Sequence, residues 1–348
     1  MRIFGNLTAE KEKDNRERER EREKEQVAPK PVEERAAGPN GHSSSECFAA
    51  AVSLHMQGKA DEALSFLEQA RKGGENLAEI YSAMAQIYLE RKQHEEAAKA
   101  YRDLLAVDPG NAAAEFNLAL CYEAMGSYSE ACQAFKSVLK NAPELADAHL
   151  GLANAYTKMG ELALAQQAYQ SYLKTNGHPF AAHFGLAVSQ HLAKQYEAAV
   201  ASYQKALELE PNSEEALANL ASVHVETQDF KNALACYDRL AKMKPDSWSA
   251  HEGLAYTAFR MERYKEAAEH YDQVVKLNPQ SFDAWYNLGA TQQKLGDQGE
   301  AAKAYREAAR LKPDAVEPHI NLAIALQEAG NESDAVGEYQ HALKLDPN

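Results

Sequence analysis

Nine alanines spaced 34 residues apart constrain this chain more than any other feature: Ala63, Ala97, Ala131, Ala165, Ala199, Ala233, Ala267, Ala301 and Ala335. A side chain held that small at a fixed period marks a place where two helix backbones approach closely. Prolines keep the same step at Pro109, Pro143, Pro211, Pro245, Pro279, Pro313 and Pro347, with Gly177 in the vacant place. An aromatic ring follows the alanine by four residues at Tyr101, Phe135, Tyr169, Tyr203, Tyr237, Tyr271, Tyr305 and Tyr339, and Leu67 stands there in the first copy.

The stretch from Phe282 to Ala315 contains the whole pattern. Trp285, Leu288, Gly289, Ala301, Tyr305 and Ala308 recur at the spacings of an amphipathic helix. Two helices fit, roughly Asp283 to Leu295 and Glu300 to Leu311. Gly296 with Asp297 separates them, because Gly accepts the positive φ that stops a helix, and Pro313 closes the copy by removing a backbone donor. The repeated element is a helix hairpin.

A 34-residue helix-turn-helix with this Trp, Leu, Gly, Ala, Tyr, Ala, Pro pattern resembles the tetratricopeptide repeat family. The resemblance spans residues 44 to 348, in nine repeats starting at 44, 78, 112, 146, 180, 214, 248, 282 and 316, with no insertion. It implies an all-α, right-handed superhelical solenoid of helix-turn-helix (TPR) repeats, with a continuous core between neighbours. The first repeat is degenerate: Cys47, Leu67 and Glu75 replace the usual Trp, aromatic ring and Pro. In the fourth, Gly177 and Pro179 replace a single proline, so the turn into the fifth is expected to be displaced.

Residues 1–43 are expected to be a disordered charged tail and linker. The run Arg16 to Glu23 alternates sign and offers no apolar face, and Pro29, Pro31, Gly38, Pro39 and Gly41 give linker composition. This segment holds ten Lys/Arg and ten Asp/Glu, so the net charge of -15 belongs to the repeats, with 27 Lys/Arg against 42 Asp/Glu. An acidic solenoid disfavours nucleic acid and favours neutral or basic protein segments. Seven of the seventeen tyrosines occupy the repeat's core place and so are not free stacking platforms. With no apolar run of membrane-spanning length and no apolar leader, a cytoplasmic protein without membrane association is expected. Cys47, Cys121, Cys132 and Cys236 lack metal-ligand spacing and read as reduced packing residues.

No phosphate loop, dinucleotide fingerprint, zinc-hydrolase motif or nucleophile elbow is present, so no enzyme activity, cofactor or metal is expected. His149, His183, His251 and His319 share one repeat place. Neighbouring repeats are about 10 Å apart, whereas zinc ligands lie about 2 Å from one ion. These histidines are therefore read as packing residues standing where the family has its first-helix Trp.

Function is expected in the groove, because in this family the first helices of successive repeats line a concave surface that holds a partner segment. The sixth place carries Asn117, Asn219, Asn287 and Asn321, with Gly151, Gly185 and Gly253 in three other repeats and Asn154 nearby at a ninth place. Such a row resembles, in interrupted form, the asparagine ladder in the repeat arm of O-linked N-acetylglucosamine transferase, and implies amides that pair with a peptide backbone. The alternative is that Asn simply suits a solvated helix. Apolar subsites are expected at the fifth places Phe116, Phe184 and Tyr286, and an acidic rim at Glu215 and Asp283. No lysine occupies a fifth place, which disfavours a carboxylate-clamp co-chaperone.

The function these residues imply is a non-catalytic protein-protein interaction scaffold or adaptor. Two alternatives arise because Tyr339, Leu343 and Leu345 have no following helix to cover them: a substrate-recruiting arm of a longer, glycosyltransferase-like enzyme, or self-assembly as a homodimer through the C-terminal end.

Overall fold

The computed structural model describes residues 43–175 and 177–347; the charged tail and linker lie outside the described residues apart from Ser43. Among the described residues the secondary structure is entirely helical. The helices are α1 (Ser44–Met56), α2 (Ala60–Lys72), α3 (Leu77–Glu90), α4 (His94–Val107), α5 (Ala112–Ala124), α6 (Tyr128–Asn141), α7 (Ala146–Met159), α8 (Leu162–Tyr172) and α9 (Pro179–Leu192). They continue as α10 (Tyr196–Leu209), α11 (Glu214–Glu226), α12 (Phe230–Met243), α13 (Trp248–Arg260), α14 (Tyr264–Leu277), α15 (Phe282–Leu295), α16 (Gln298–Leu311), α17 (Val316–Glu328) and α18 (Glu332–Leu345). Odd-numbered helices are the first, and even-numbered the second, of each hairpin. The chain forms an all-α repeat solenoid. It divides into two compact units, one up to Ile87 and one from Tyr88.

In the first unit, α1 begins with a reciprocal cap: the Ser43 hydroxyl accepts from the Glu46 amide while the Glu46 carboxylate accepts from the Ser43 amide. It packs on α2 through Ala51, Ala63, Leu67 and Ala70, all buried. Lacking the usual proline, the connector after α2 turns through the left-handed residues Gly74 and Asn76.

In the second unit, consecutive helices pack as antiparallel neighbours, and α5 with α7, α7 with α9, and α9 with α11 also touch. The first helices therefore stand side by side in one row. The period-34 alanines are buried without exception, which is what lets each hairpin close. A ring four residues on fills the space beside each of them, with Phe135, Tyr169, Tyr203, Tyr271 and Tyr305 almost wholly buried.

Turn chemistry explains the helix limits. The residue before each periodic proline leaves helical geometry, as at Glu210 (φ -125°, ψ 83°) and Lys312 (φ -132°, ψ 81°), because the proline ring excludes the α region for its predecessor. Asp297 caps α16 by accepting from the Glu300 amide, so this helix starts at Gln298, two residues before the sequence expectation. Where proline is displaced, α8 stops at Tyr172 and Pro179 becomes the first residue of α9. The Tyr172 ring fills the gap, lying 2.3 Å from where a side chain on Gly177 would begin, and its hydroxyl accepts from the His178 amide at 2.7 Å.

The fifteenth place of every repeat is left-handed. Glycine occupies it at Gly58, Gly126, Gly160, Gly296 and Gly330, but Lys92, Lys194, Gln228 and Glu262 adopt φ of +57° to +61° there. A Cβ in this conformation costs about 1–2 kcal/mol. Gln228→Gly and Glu262→Gly should therefore each raise stability by up to about 1 kcal/mol, and Gly296→Ala should lower it by about as much. Denaturation followed by circular dichroism checks the opposite signs.

Candidate peptide-binding groove

The first helices of the second unit present three kinds of side chain along their shared row. The fourth place locks one repeat to the one before. The indole nitrogen of Trp285 donates to the Pro279 carbonyl at 3.0 Å, and the Nε2 atoms of His149 and His251 donate to the carbonyls of Pro143 and Pro245 at 2.8 and 3.0 Å. These histidines thus perform the tryptophan's hydrogen-bonding role. His319 instead bonds through Nδ1 to Glu338 at 2.7 Å, beside the His341 ring. His149 and His251 are thus held by proline carbonyls and His319 by Glu338, and among the described residues no group of three or more His, Cys, Asp or Glu could hold a metal ion.

The sixth place faces the preceding repeat's core ring. A Cβ on Gly151, Gly185 or Gly253 would lie 2.3–2.4 Å from the rings of Phe135, Tyr169 and Tyr237 respectively. Asparagine occupies the same place in four other repeats, and in two of them its amide meets a phenol. Asn117 is hydrogen-bonded to Tyr101. Asn321 Nδ2 donates to the Tyr286 hydroxyl at 2.8 Å, and at the ninth place Asn154 Oδ1 accepts from the Tyr169 hydroxyl at 2.7 Å. All five candidate asparagines are half-buried. Among the described residues the side chains of Asn219 and Asn287 have no hydrogen-bond partner. The Tyr203 hydroxyl, one repeat before Asn219, is buried without a partner, and burial pushes its pKa upward.

Aromatic rings mark the fifth place. Phe116, Phe184 and Tyr286 are half-buried, each edge-on to its own repeat's core ring, Phe135, Tyr203 and Tyr305, at 5.6–6.0 Å. Two of them also stack on a ring one turn earlier: Phe184 on Phe180 at 5.8 Å and Tyr286 on Phe282 at 6.0 Å. Sequence reasoning missed these first-place partners, although their four-residue spacing on a helix was the available signal. Lys312 lies over the Phe282 ring at 4.0 Å from its centroid. Exposed Leu120, Leu192 and Ile320 add apolar surface on the first helices.

Acidic groups border the rings. Glu215 and Asp283 are exposed. Glu252, at a fifth place, is half-buried; burial raises its pKa and nearby Asp283 raises it further. Arg260 donates to the Tyr256 hydroxyl at 2.7 Å and lies over the Phe230 ring at 4.7 Å.

The match to known families accords with this geometry. Profiles described as tetratricopeptide repeat match residues 82–146, 150–214, 219–281, 254–316 and 286–348, and a further one matches 47–69. The chain belongs to the tetratricopeptide repeat family. Such repeats make it a scaffold for protein-protein interaction. No curated protein sequence matches it. Among solved structures, it is similar to the C-terminal part of a TPR repeat-containing protein from Cytophaga hutchinsonii, at 16% identity and TM-score 0.61, over 67% of this chain and 96% of that one. It is also similar to MamA, at 20% identity and TM-score 0.47 over 49% of this chain and 92% of that one. For MamA from Desulfovibrio magneticus RS-1, the figures are 18%, 0.46, 49% and 97%. At these identities the likeness concerns the fold.

Two outcomes follow for this tetratricopeptide array. Gly151→Ala forces a methyl into the buried Phe135 ring and should destabilise by about 1–3 kcal/mol, measurable by urea denaturation. The second concerns pH. His251 Nδ1 and His270 Nδ1 lie 3.2 Å apart, and because His251 Nε2–H donates to Pro245, the neutral pair is satisfied when His270 donates to His251. Burial, then His251, lowers the His270 pKa, opposed by Glu266, Glu269 and Asp238; burial and Lys205 also lower that of His183, opposed by Glu208. A base whose pKa falls on folding gives full stability above its unfolded value, about 6.5, and loses it as pH drops below that. The denaturation midpoint should fall between pH 7.5 and pH 5, and His183→Asn with His270→Asn should flatten that dependence.

Proposed function

We propose that this chain is a non-catalytic scaffold or adaptor that holds an extended segment of a partner protein along the first helices of its second unit. The observation that carries this reading is the half-exposed aromatic pairs, Phe180 with Phe184 and Phe282 with Tyr286, on the same row of helices as unpartnered asparagine amides. Asn219 and Asn287 would donate to and accept from the segment's backbone. Asn117, Asn154 and Asn321, already bonded to phenols, would border the segment and hold the rings in place. Phe116, Phe184 and Tyr286 would receive apolar side chains, and Glu215 and Asp283 would steer a neutral or basic partner at a rate that falls with salt. The four free thiols, three of them buried, fit a reducing compartment, the cytoplasm.

A second reading rests on α18, whose Val336 and Leu343 are 53% and 60% exposed. It makes that face a contact between two copies, and light scattering that finds a monomer at tens of micromolar removes it.

Site-specific photo-cross-linking tests the groove reading. A photoreactive residue replacing Ala218, exposed on the first-helix row, should capture a partner identified by mass spectrometry; one replacing Leu209, at the exposed end of α10, should not. Equal capture from both positions contradicts the reading.

A further inference from the structure

Glu252 stands at a fifth place, where the repeat before carries Ala218 and the repeat after Tyr286, with Phe184 and Ile320 two repeats to either side. It is half-buried, and the carboxylate that bears on it is Asp283 of the next repeat. No described cation is ion-paired with either group. Arg260, two turns on in the same helix, is turned to the Tyr256 hydroxyl and the Phe230 ring instead. The two carboxylates stand on first helices that share a core through Ala255, Ala284 and Leu288, and a half-buried carboxylate with no cation beside it is costly to hold charged. Apolar surface lies on both sides: the Phe282–Tyr286 stack one repeat on, and the Phe180–Phe184 stack two repeats back.

Resting on the groove reading above, we infer that the partner segment is basic at its centre: a Lys or Arg enters between Glu252 and Asp283, and apolar side chains on either side of it lie on the two aromatic stacks. An external cation supplies what the fold withholds from these carboxylates. Their surroundings favour one bound in extended form, because the stacks and the acidic pair follow one another along the row of helices. Packed helices are about 8–10 Å apart and an extended chain advances about 3.3 Å per residue. With the cation between α13 and α15, the apolar positions therefore fall about one or two residues from it on one side and about seven on the other.

Selection from a phage-displayed library of random peptides about twelve residues long, enough to span both stacks, tests this on the full chain. The intact protein should select peptides enriched in Lys or Arg with apolar residues at the stated offsets, and Glu252→Gln or Asp283→Asn should abolish that enrichment. A selected peptide, made synthetically, should bind Glu252→Gln about tenfold or more weakly, although this variant should melt no lower than the intact chain. That combination separates a binding role from a structural one. Selected peptides without basic enrichment, or enrichment that survives both substitutions, overturn the inference and leave the groove reading standing. If the intact chain selects no peptide above background, both fall.

Discussion

The repeats of the second unit depend on a ring that belongs to the hairpin's second helix and that, at Tyr101, Phe135, Tyr169 and Tyr237, reaches the first helix of the next repeat. The alanine four residues earlier lets the hairpin close, and the ring then fills the gap between neighbours. Because that gap is full, the residue opposite is restricted: glycine where Phe135, Tyr169 or Tyr237 presses in, and asparagine where Tyr101 offers a hydroxyl to its amide. Stability in such an array is local, a sum of nearest-neighbour terms. A change at one of these contacts is therefore felt chiefly by the two repeats that share it.

The same contact shapes the groove. Side chains on the first helices are divided between the core behind them and the open face, and asparagine can serve only one at a time. Asn117, Asn154 and Asn321 are committed to phenols, whereas Asn219 and Asn287 are not. The aromatic pairs show the same division, since Phe184 and Tyr286 each present one edge to a buried ring and one face to a stacked neighbour. The proposed recognition surface is thus an extension of the core, and Glu252 and Asp283 are acidic groups on it that no described cation pairs with.

Much of the fold was legible because period and chemistry agree. Alanine, ring and proline each answer a fixed geometric need, so their spacing located the hairpins and the left-handed turn at Gly296 to within about two residues. The non-glycine residues at φ near +60°, Lys92, Lys194, Gln228 and Glu262, carry no such signal, because packing on both sides imposes the turn whatever stands there. The substitution of His149 and His251 for tryptophan was readable from place alone, while their shared kind of acceptor, a proline carbonyl, is set by the folded turn. The asparagine row could be counted in the sequence, but not which amides are free: that depends on whether a hydroxyl 16 residues earlier, or 35 residues earlier as for Tyr286 and Asn321, lies within reach. In the sequence Glu252 is one carboxylate among many, and only its partial burial distinguishes it.

The central claim is that the row of first helices in the second unit holds a partner's extended segment. The most direct measurement is a crystal structure of the full chain with a captured partner segment bound. The expected result is a segment crossing α9 to α15, in contact with Phe184, Asn219, Glu252 and Tyr286. A segment lying on the second helices, or packed on the Val336 and Leu343 face of α18 with the groove empty, would contradict it.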